Sequence, residues 1–432
     1  MILPESWAVV LGVFAPVFAR RGTFRMFTVL ATGMVAATGR RSVVGMLAGA
    51  GMARRVSFHA ACRFFSAAVW DVDRLGLAAA GLIVRCLLAP GEPIVVAVDD
   101  TLFKRWGRRV HHVFWTHDGS AQGRAKIGRG NRWVVAGIVV RLPFVTAAVC
   151  LPVLFRLWAG KGSDSPVTLG AHLLALVRDT FPDRAVHGVG DAAYHGRPLL
   201  VDGTTWTTRL PGNAALYAPA PPRTGKRGRP RLKGARLPDL KTLAVTASWA
   251  RTRVHRYGRT EAVDIAVADA IWYGPFGNTA GRVVLQRDPD STSAYDLALF
   301  TTDTDATGEQ IVERYAVRWS IEPSNANSKQ HTGVGQARNR LPRAVERTVP
   351  FGMVVQSMVI TWYALYGYDP ADVTGRSITQ PWYRTKTEPS YEDMILKLRK
   401  TIIAARFTTV TPGQPDPDLL HDYALACAAA AA

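Results

Sequence analysis

Four side chains capable of chemistry recur at helical spacing in one stretch of this sequence. In Tyr315-Ala-Val-Arg-Trp-Ser-Ile-Glu-Pro-Ser-Asn-Ala-Asn-Ser-Lys329, the residues Tyr315, Arg318, Glu322 and Lys329 stand at offsets of zero, three, seven and fourteen. A helix turns about 100° per residue, so the four would share roughly 60° of arc. That stripe would carry a phenol, a guanidinium, a carboxylate and an ammonium. A carboxylate flanked by phosphate-binding groups suits metal-dependent attack on a nucleic-acid backbone. Taken alone, such a stripe is more often a solvated helix face with i,i+4 charge pairs. The rest of the chain has to decide.

Two more acids stand where strands would deliver them. Residues 94–98 form an apolar run rich in β-branched side chains that ends abruptly at Asp99-Asp100-Thr101. Residues 185–190 form a second short apolar run, followed by Asp191. Either is an ordinary strand exit when taken singly. Together with Glu322, the carboxylates Asp100 (or Asp99) and Asp191 make an oxygen-only set, which selects Mg²⁺ or Mn²⁺. Two such ions about 4 Å apart can activate a water or a 3′-hydroxyl and stabilise the leaving oxygen of a phosphodiester.

These acids need a scaffold, and the sequence outlines one. Residues 1–90 have helical periodicity, with segments at 24–38, 42–50, 57–68 and 71–88. Arg40, Arg41, Arg54 and Arg55 surround a helix–Gly turn–helix pattern in which Ser57 would cap the second helix. That pattern suits DNA contact by Arg40 and Arg41, or a plain αα-hairpin. Strands are expected at 94–98, 111–115 and 133–140, a helix at 167–179, and a strand at 185–190. A mixed sheet of this order, with carboxylates at neighbouring strand ends, is the RNase H arrangement. Residues 205–293 break the pattern. They include the Pro/Gly/Arg run 219–233, whose Lys226, Arg227, Arg229 and Arg231 are candidate DNA contacts. Strands are expected there at 243–249, 263–268 and 283–285, with Trp249 and Trp272 among basic residues. A strand at 294–301 follows, then a helix from about Gly308 capped by Thr304 or Asp305. A buried helix at 350–366 and a capping box at Ser390–Asp393 come last. The fold class is therefore α/β: an RNase H-like core in two parts (91–204 and 294–345), a β-rich basic insertion (205–293), an all-α N-terminal DNA-binding domain (1–90) and a helical C-terminal region (346–432).

Composition narrows the partner. Lys and Arg total 53 against 33 Asp and Glu, for a formal charge of +20 and a pI near 10.3. Such a surplus favours a polyanion, most simply nucleic acid, although an Arg- and Ala-rich composition also has this effect. The four cysteines lie far apart with no metal-ligand spacing. The apolar run 7–19 is too short to span a bilayer and lacks a basic leader. The expectation is an intracellular protein without a membrane partner.

The motifs together resemble the IS4-like superfamily of bacterial insertion-sequence DDE transposases, near its IS701-type branch. The Tyr-x2-Arg-x3-Glu-x6-Lys signature of that superfamily is matched by Tyr315, Arg318, Glu322 and Lys329. Asp99-Asp100-Thr101, Gly130-Asn-Arg-Trp133, Gly190-Asp-Ala-Ala-Tyr194 and Arg40-Arg-Ser-Val43 also resemble it. The resemblance implies two Mg²⁺ ions (or Mn²⁺) held by Asp100, Asp191 and Glu322, with Asp100 preferred over Asp99 because it directly precedes Thr101. It implies phosphate contacts from Tyr315, Arg318 and Lys329, and a Trp, either Trp272 or Trp249, that receives a flipped base. It further implies double-stranded DNA partners (element ends and target), a synaptic homodimer, cut-and-paste strand transfer, and a place with the bacterial nucleoid in the cytoplasm. Pro323 departs from the pattern, because it disfavours helix at Glu322. That leaves open a decayed, DNA-binding relic or an RNase H-like nuclease without strand transfer.

Overall fold

The computed structural model describes residues 1–407, except 120, 122–124, 223–228, 375–381 and 383–384. Five helices come first: α1 (Glu5–Gly12), α2 (Arg21–Ala36), α3 (Val43–Gly49), α4 (Phe58–Ser66) and α5 (Val72–Leu87). Then come β1 (Ile94–Lys104), β2 (Phe114–His117), β3 (Ile127–Val140) and β4 (Val149–Leu157), followed by α6 (Pro166–Thr180), β5 (Val186–Gly190) and β6 (Thr204–Arg209). After these lie α7 (Leu240–Thr246), β7 (Ala250–Arg256), β8 (Arg259–Ala270), α8 (Tyr273–Phe276), β9 (Gly281–Arg287) and β10 (Leu297–Thr301). The last described elements are α9 (Gly308–Ala316), α10 (Ile321–Gln330), α11 (Pro342–Trp362) and α12 (Tyr391–Phe407).

All ten strands join one sheet in the order β2-β3-β1-β5-β6-β10-β9-β8-β7, with β4 also paired to β3. β1 is antiparallel to β3 and parallel to β5, and β5 is parallel to β6. This large mixed sheet is consistent with an RNase H-like core. Beyond β6 the insertion continues the same sheet, because β10 pairs antiparallel with β6. The boundary expected at residue 205 therefore falls inside β6, which belongs to the core.

The structure corrects several local expectations. β1 does not end at the aspartates; pairing with β3 carries it to Lys104. β4 was not expected, since Pro152 interrupts its apolar run. It is tolerated because β4 is an edge strand and Pro152 sits where the register shifts opposite Gly137. The expected strand at 243–249 is largely the helix α7, started by Asp239, whose side chain accepts from Lys241 N and Thr242 N. Thr307, not Thr304 or Asp305, caps α9, in a capping box with Gln310. Ser57 occupies the cap position of α4 without a side-chain cap bond.

The N-terminal helices do not stand apart. They share one hydrophobic core with the sheet and with α11 and α12. Phe27, Phe64 and Phe65 meet Phe351 of α11 edge to face. The Arg347 guanidinium donates to the carbonyls of Phe65, Ala68 and Trp70. α2 and α3 cross so closely that a methyl group on Gly33 would sit 1.8 Å from the Met46 carbonyl oxygen. The helical segment Pro342–Gly367 is long and apolar enough to cross a membrane, yet it is buried in this core.

Candidate active site

Register places the first two acids. The parallel pairing of β1 with β5 ends at Ala97 opposite Val189. Two residues further along each chain stand Asp99 and Asp191. Successive side chains of a strand point to opposite faces, so Asp99 and Asp100 diverge. The Asp99 face also carries Phe103, over whose ring the Lys329 ammonium sits at 5.5 Å. The other face carries Val98, which packs near Gly170 of α6. Asp100 is bound there to the Arg132 guanidinium, which lies 5.1 Å over the Trp158 ring. Burial works against the Arg132 charge, but the Asp100 carboxylate outweighs it and holds Arg132 above its usual range.

Asp99 has no such partner. Burial pushes its carboxyl up to about 7, and the Asp100 and Asp191 charges push the same way. Against them stand the Asp100 N–H, 2.8 Å from Asp99 Oδ1, and the Arg318 guanidinium. Asp191 is fixed by a turn: its Oδ1 accepts from Ala193 N at 2.9 Å, and its carbonyl accepts from Tyr194 N and from the Thr208 hydroxyl. Gly190 admits this turn, since a methyl group there would meet Trp206 and Tyr194 at 2.7 Å.

The expected single helical stripe is in fact three pieces. α9 ends at Ala316, a 3₁₀ turn spans Val317–Ser320, and α10 begins at Ile321. Pro323 thus lies in the first turn of α10, where a backbone N–H has no intrahelical partner to lose. Glu322 is exposed in that same turn and accepts from Arg318 Nη2 at 3.1 Å. The Arg318 side chain is mostly buried; burial opposes its charge, while Tyr315, Glu322 and Asp99 sustain it. Its Nε has no hydrogen-bond partner. Tyr315 is 8% exposed beneath Arg318, whose guanidinium carbon is 5.6 Å from the Tyr315 ring centroid. Lys329 is half-buried; burial lowers its affinity for a proton, and Asp118 and Asp99 work against that.

Of the residues expected to act together, Asp99, Asp191, Tyr315, Arg318, Glu322 and Lys329 gather at this edge of the sheet. Asp100 is on the far face. Trp272 is 4% exposed, stacked on His195 and packed against Phe276 and Phe300, so it is a core residue that no flipped base can reach. Trp249 is half-buried; its Nε1 donates to the Ala244 carbonyl and Arg287 covers its ring at 4.2 Å. Arg41 is pinned between α3 and the α10–α11 link through Gln336, and burial depresses its pKa, whereas Arg40 is exposed. Arg229 and Arg231 are exposed; Lys226 and Arg227 lie outside the described residues.

Two neighbours escaped the sequence reading. Arg209, at the exposed end of β6, helps to hold the Tyr315 phenol toward ionisation against the stronger effect of its burial. Tyr194 lies buried near Asp100 and Asp99, with its hydroxyl unpartnered. Only the strand register reveals Arg209; Tyr194 was visible in the Gly190–Tyr194 pattern, without a role.

Among the described residues, no three Asp, Glu, His or Cys side chains converge as a ready metal-holding group. The donor chemistry nevertheless fits a hard divalent cation. Asp99 and Asp191 carry oxygen donors in matching register, and Arg318 compensates Asp99 only in part. Glu322 would join them by releasing Arg318. A family model described as DDE superfamily endonuclease matches residues 13–267, more than half of the chain. The match includes Asp99, Asp100 and Asp191 and stops before Glu322. No curated protein matches the chain. Paired strand-end carboxylates in a mixed sheet, together with this match, place the protein in the DDE superfamily of endonucleases.

Proposed function

We propose that this endonuclease-family protein is an insertion-sequence transposase of the IS4-like, IS701-type branch. It would bind the inverted repeats at its element's ends, cut there and join the freed 3′ end to target DNA. The observation that carries this reading is the register of Asp99 and Asp191 beneath an arginine that also reaches Glu322. Asp99, rather than Asp100, is the proposed ligand with Asp191 and Glu322. DDE nucleases use divalent metal ions, and Mg²⁺ or Mn²⁺ held here would lower the pKa of a bound water and offset charge on the leaving oxygen. The chain's own groups do the rest. Arg318, with its unpartnered Nε, and Lys329 would hold phosphate, and Tyr315 would orient Arg318 from below. Exposed Arg40, Arg229 and Arg231 would add backbone contacts. A synaptic homodimer in the bacterial cytoplasm, associated with the nucleoid, belongs to the same proposal.

The test is an end-cleavage and joining assay on terminal-repeat DNA with Mg²⁺ or Mn²⁺. Asp191→Asn, Asp99→Asn and Glu322→Gln should each abolish cutting, while Asp100→Asn should retain it. Full activity in any of the first three overturns the metal-site assignment. Cutting without a joined product would identify a plain nuclease, and binding without cutting a DNA-binding relic.

A further inference from the structure

The hairpin that extends β1, β2 and β3 past the carboxylates carries two large, solvent-exposed aromatics. Trp106 is 71% exposed and Trp115 is 64% exposed. The backbone that carries them is tied to the sheet. Trp115 pairs with Arg129 across β2 and β3, while its neighbour Phe114 packs edge-on against Trp158 at 5.3 Å. The Arg129 guanidinium donates to the carbonyls of Arg105 and Gly107, clasping the segment that bears Trp106. Arg105 is itself locked to the carbonyls of Gly335 and Ala337. Residues 104–129 contain seven Lys or Arg against one acid, Asp118, which is buried and 3.2 Å from Lys104. Arg108, Arg109 and Lys126 of the same segment are exposed.

Strand geometry relates this surface to the carboxylates. Arg105 N bonds to Arg129 O, extending the β1–β3 pairing, so Arg105, Arg129 and Trp115 lie side by side on the face that carries Asp99. Six residues of strand separate Asp99 from Arg105, or roughly 20 Å, which is about six steps of a nucleic-acid strand. Phosphate alone would call only for Lys and Arg. An exposed indole on a segment rich in cations fits a base whose face is free, and the faces inside a duplex are not.

We propose that Trp115 is a stacking platform for an unpaired base of a DNA strand, about six nucleotides from the bond cut at Asp99 and Asp191. This rests on reading that edge as the cleavage site. The Trp115 indole would stack on the base while the exposed cations of the segment neutralise the backbone.

Fluorescence anisotropy at fixed salt tests it, with a blunt duplex oligonucleotide and the same duplex bearing a single-stranded tail of about ten nucleotides. Trp115→Ala should weaken tailed DNA about tenfold to a hundredfold, while blunt binding changes less than about threefold. Trp115→Phe should restore most of the loss. Replacing the tail bases by abasic residues should weaken wild-type binding by a similar factor, a readout that needs no variant to fold. Equal loss on both DNAs, or no loss with abasic tails, overturns the proposal. So does a dimer that becomes a monomer in sedimentation of Trp115→Ala, since the surface would then be a contact between copies. Wild-type protein that discriminates abasic tails but never cuts would remove the cleavage reading alone.

Discussion

Asp99 and Asp303 are carboxylates at opposite ends of one sheet, and the chain treats them in opposite ways. Asp303 follows β10 and is saturated: Arg314 Nη1 donates to it at 2.7 Å, and the N–H groups of Asp305 and Ala306 also donate. Burial opposes its charge, but these donors win and its carboxyl is held below the usual range. Asp99 is packed beside two further acids, and its arginine is shared with Glu322. Arg314 and Arg318 are one helical turn apart, so the same short segment completes one acid and leaves the other under-compensated. A structural carboxylate is paired within the fold, whereas one poised for a cation is not.

Several measurements can break or sharpen this contrast. The largest expected effect is on cleavage: Asp99→Asn, Asp191→Asn or Glu322→Gln should each lower the single-turnover rate at least about 10³-fold, and Asp100→Asn less than about tenfold. If Asp100→Asn equals Asp99→Asn, the assignment of faces is wrong. Next comes stability against pH, followed by denaturant melts of wild type and single variants. The raised Asp99 pKa means that the folded state holds its proton longer than the unfolded chain does. Wild type should therefore lose stability as pH rises from about 4 to 7, and Asp99→Asn should recover up to about 4 kcal/mol at pH 8. Asp303 has the reverse sign: its contribution is present at neutral pH and lost as pH falls below the ordinary carboxylate range. Asp303→Asn should cost about 3 kcal/mol at pH 7, because Arg314 is left buried without its partner. The smallest effect is ligand-linked. Mg²⁺ or Mn²⁺ at tenfold to a hundredfold its Kd should stabilise wild type by about 1–3 kcal/mol at pH 8, reversed by chelator and absent in Asp99→Asn. Equal stabilisation of Asp99→Asn would place any bound ion elsewhere.

Parts of the site were legible without coordinates. The spacing from Tyr315 to Lys329 and the Gly190-Asp191 turn named most of the gathered side chains, because residue type and short-range spacing are properties of sequence. The choice between Asp99 and Asp100 was not legible. The proposal of Asp99 rests on which face of β1 meets α10, where Lys329 lies over Phe103. Pro323 looked like damage to a helix; the structure places it in the first turn of α10, behind a 3₁₀ turn. Trp272 looked available because its neighbours in sequence are polar or turn-forming, whereas His195, Phe276 and Phe300 enclose it in space.

By itself, then, the sequence determined the chemistry on offer: oxygen ligands, phosphate-binding cations, a strongly basic surface and alternating strand and helix segments. Those follow from composition, local propensity and periodicity. Only the tertiary structure decided which carboxylates face one another, which arginine each of them keeps, and which tryptophans reach solvent. Such choices depend on strand register and on packing between residues far apart in the chain, which no local pattern encodes.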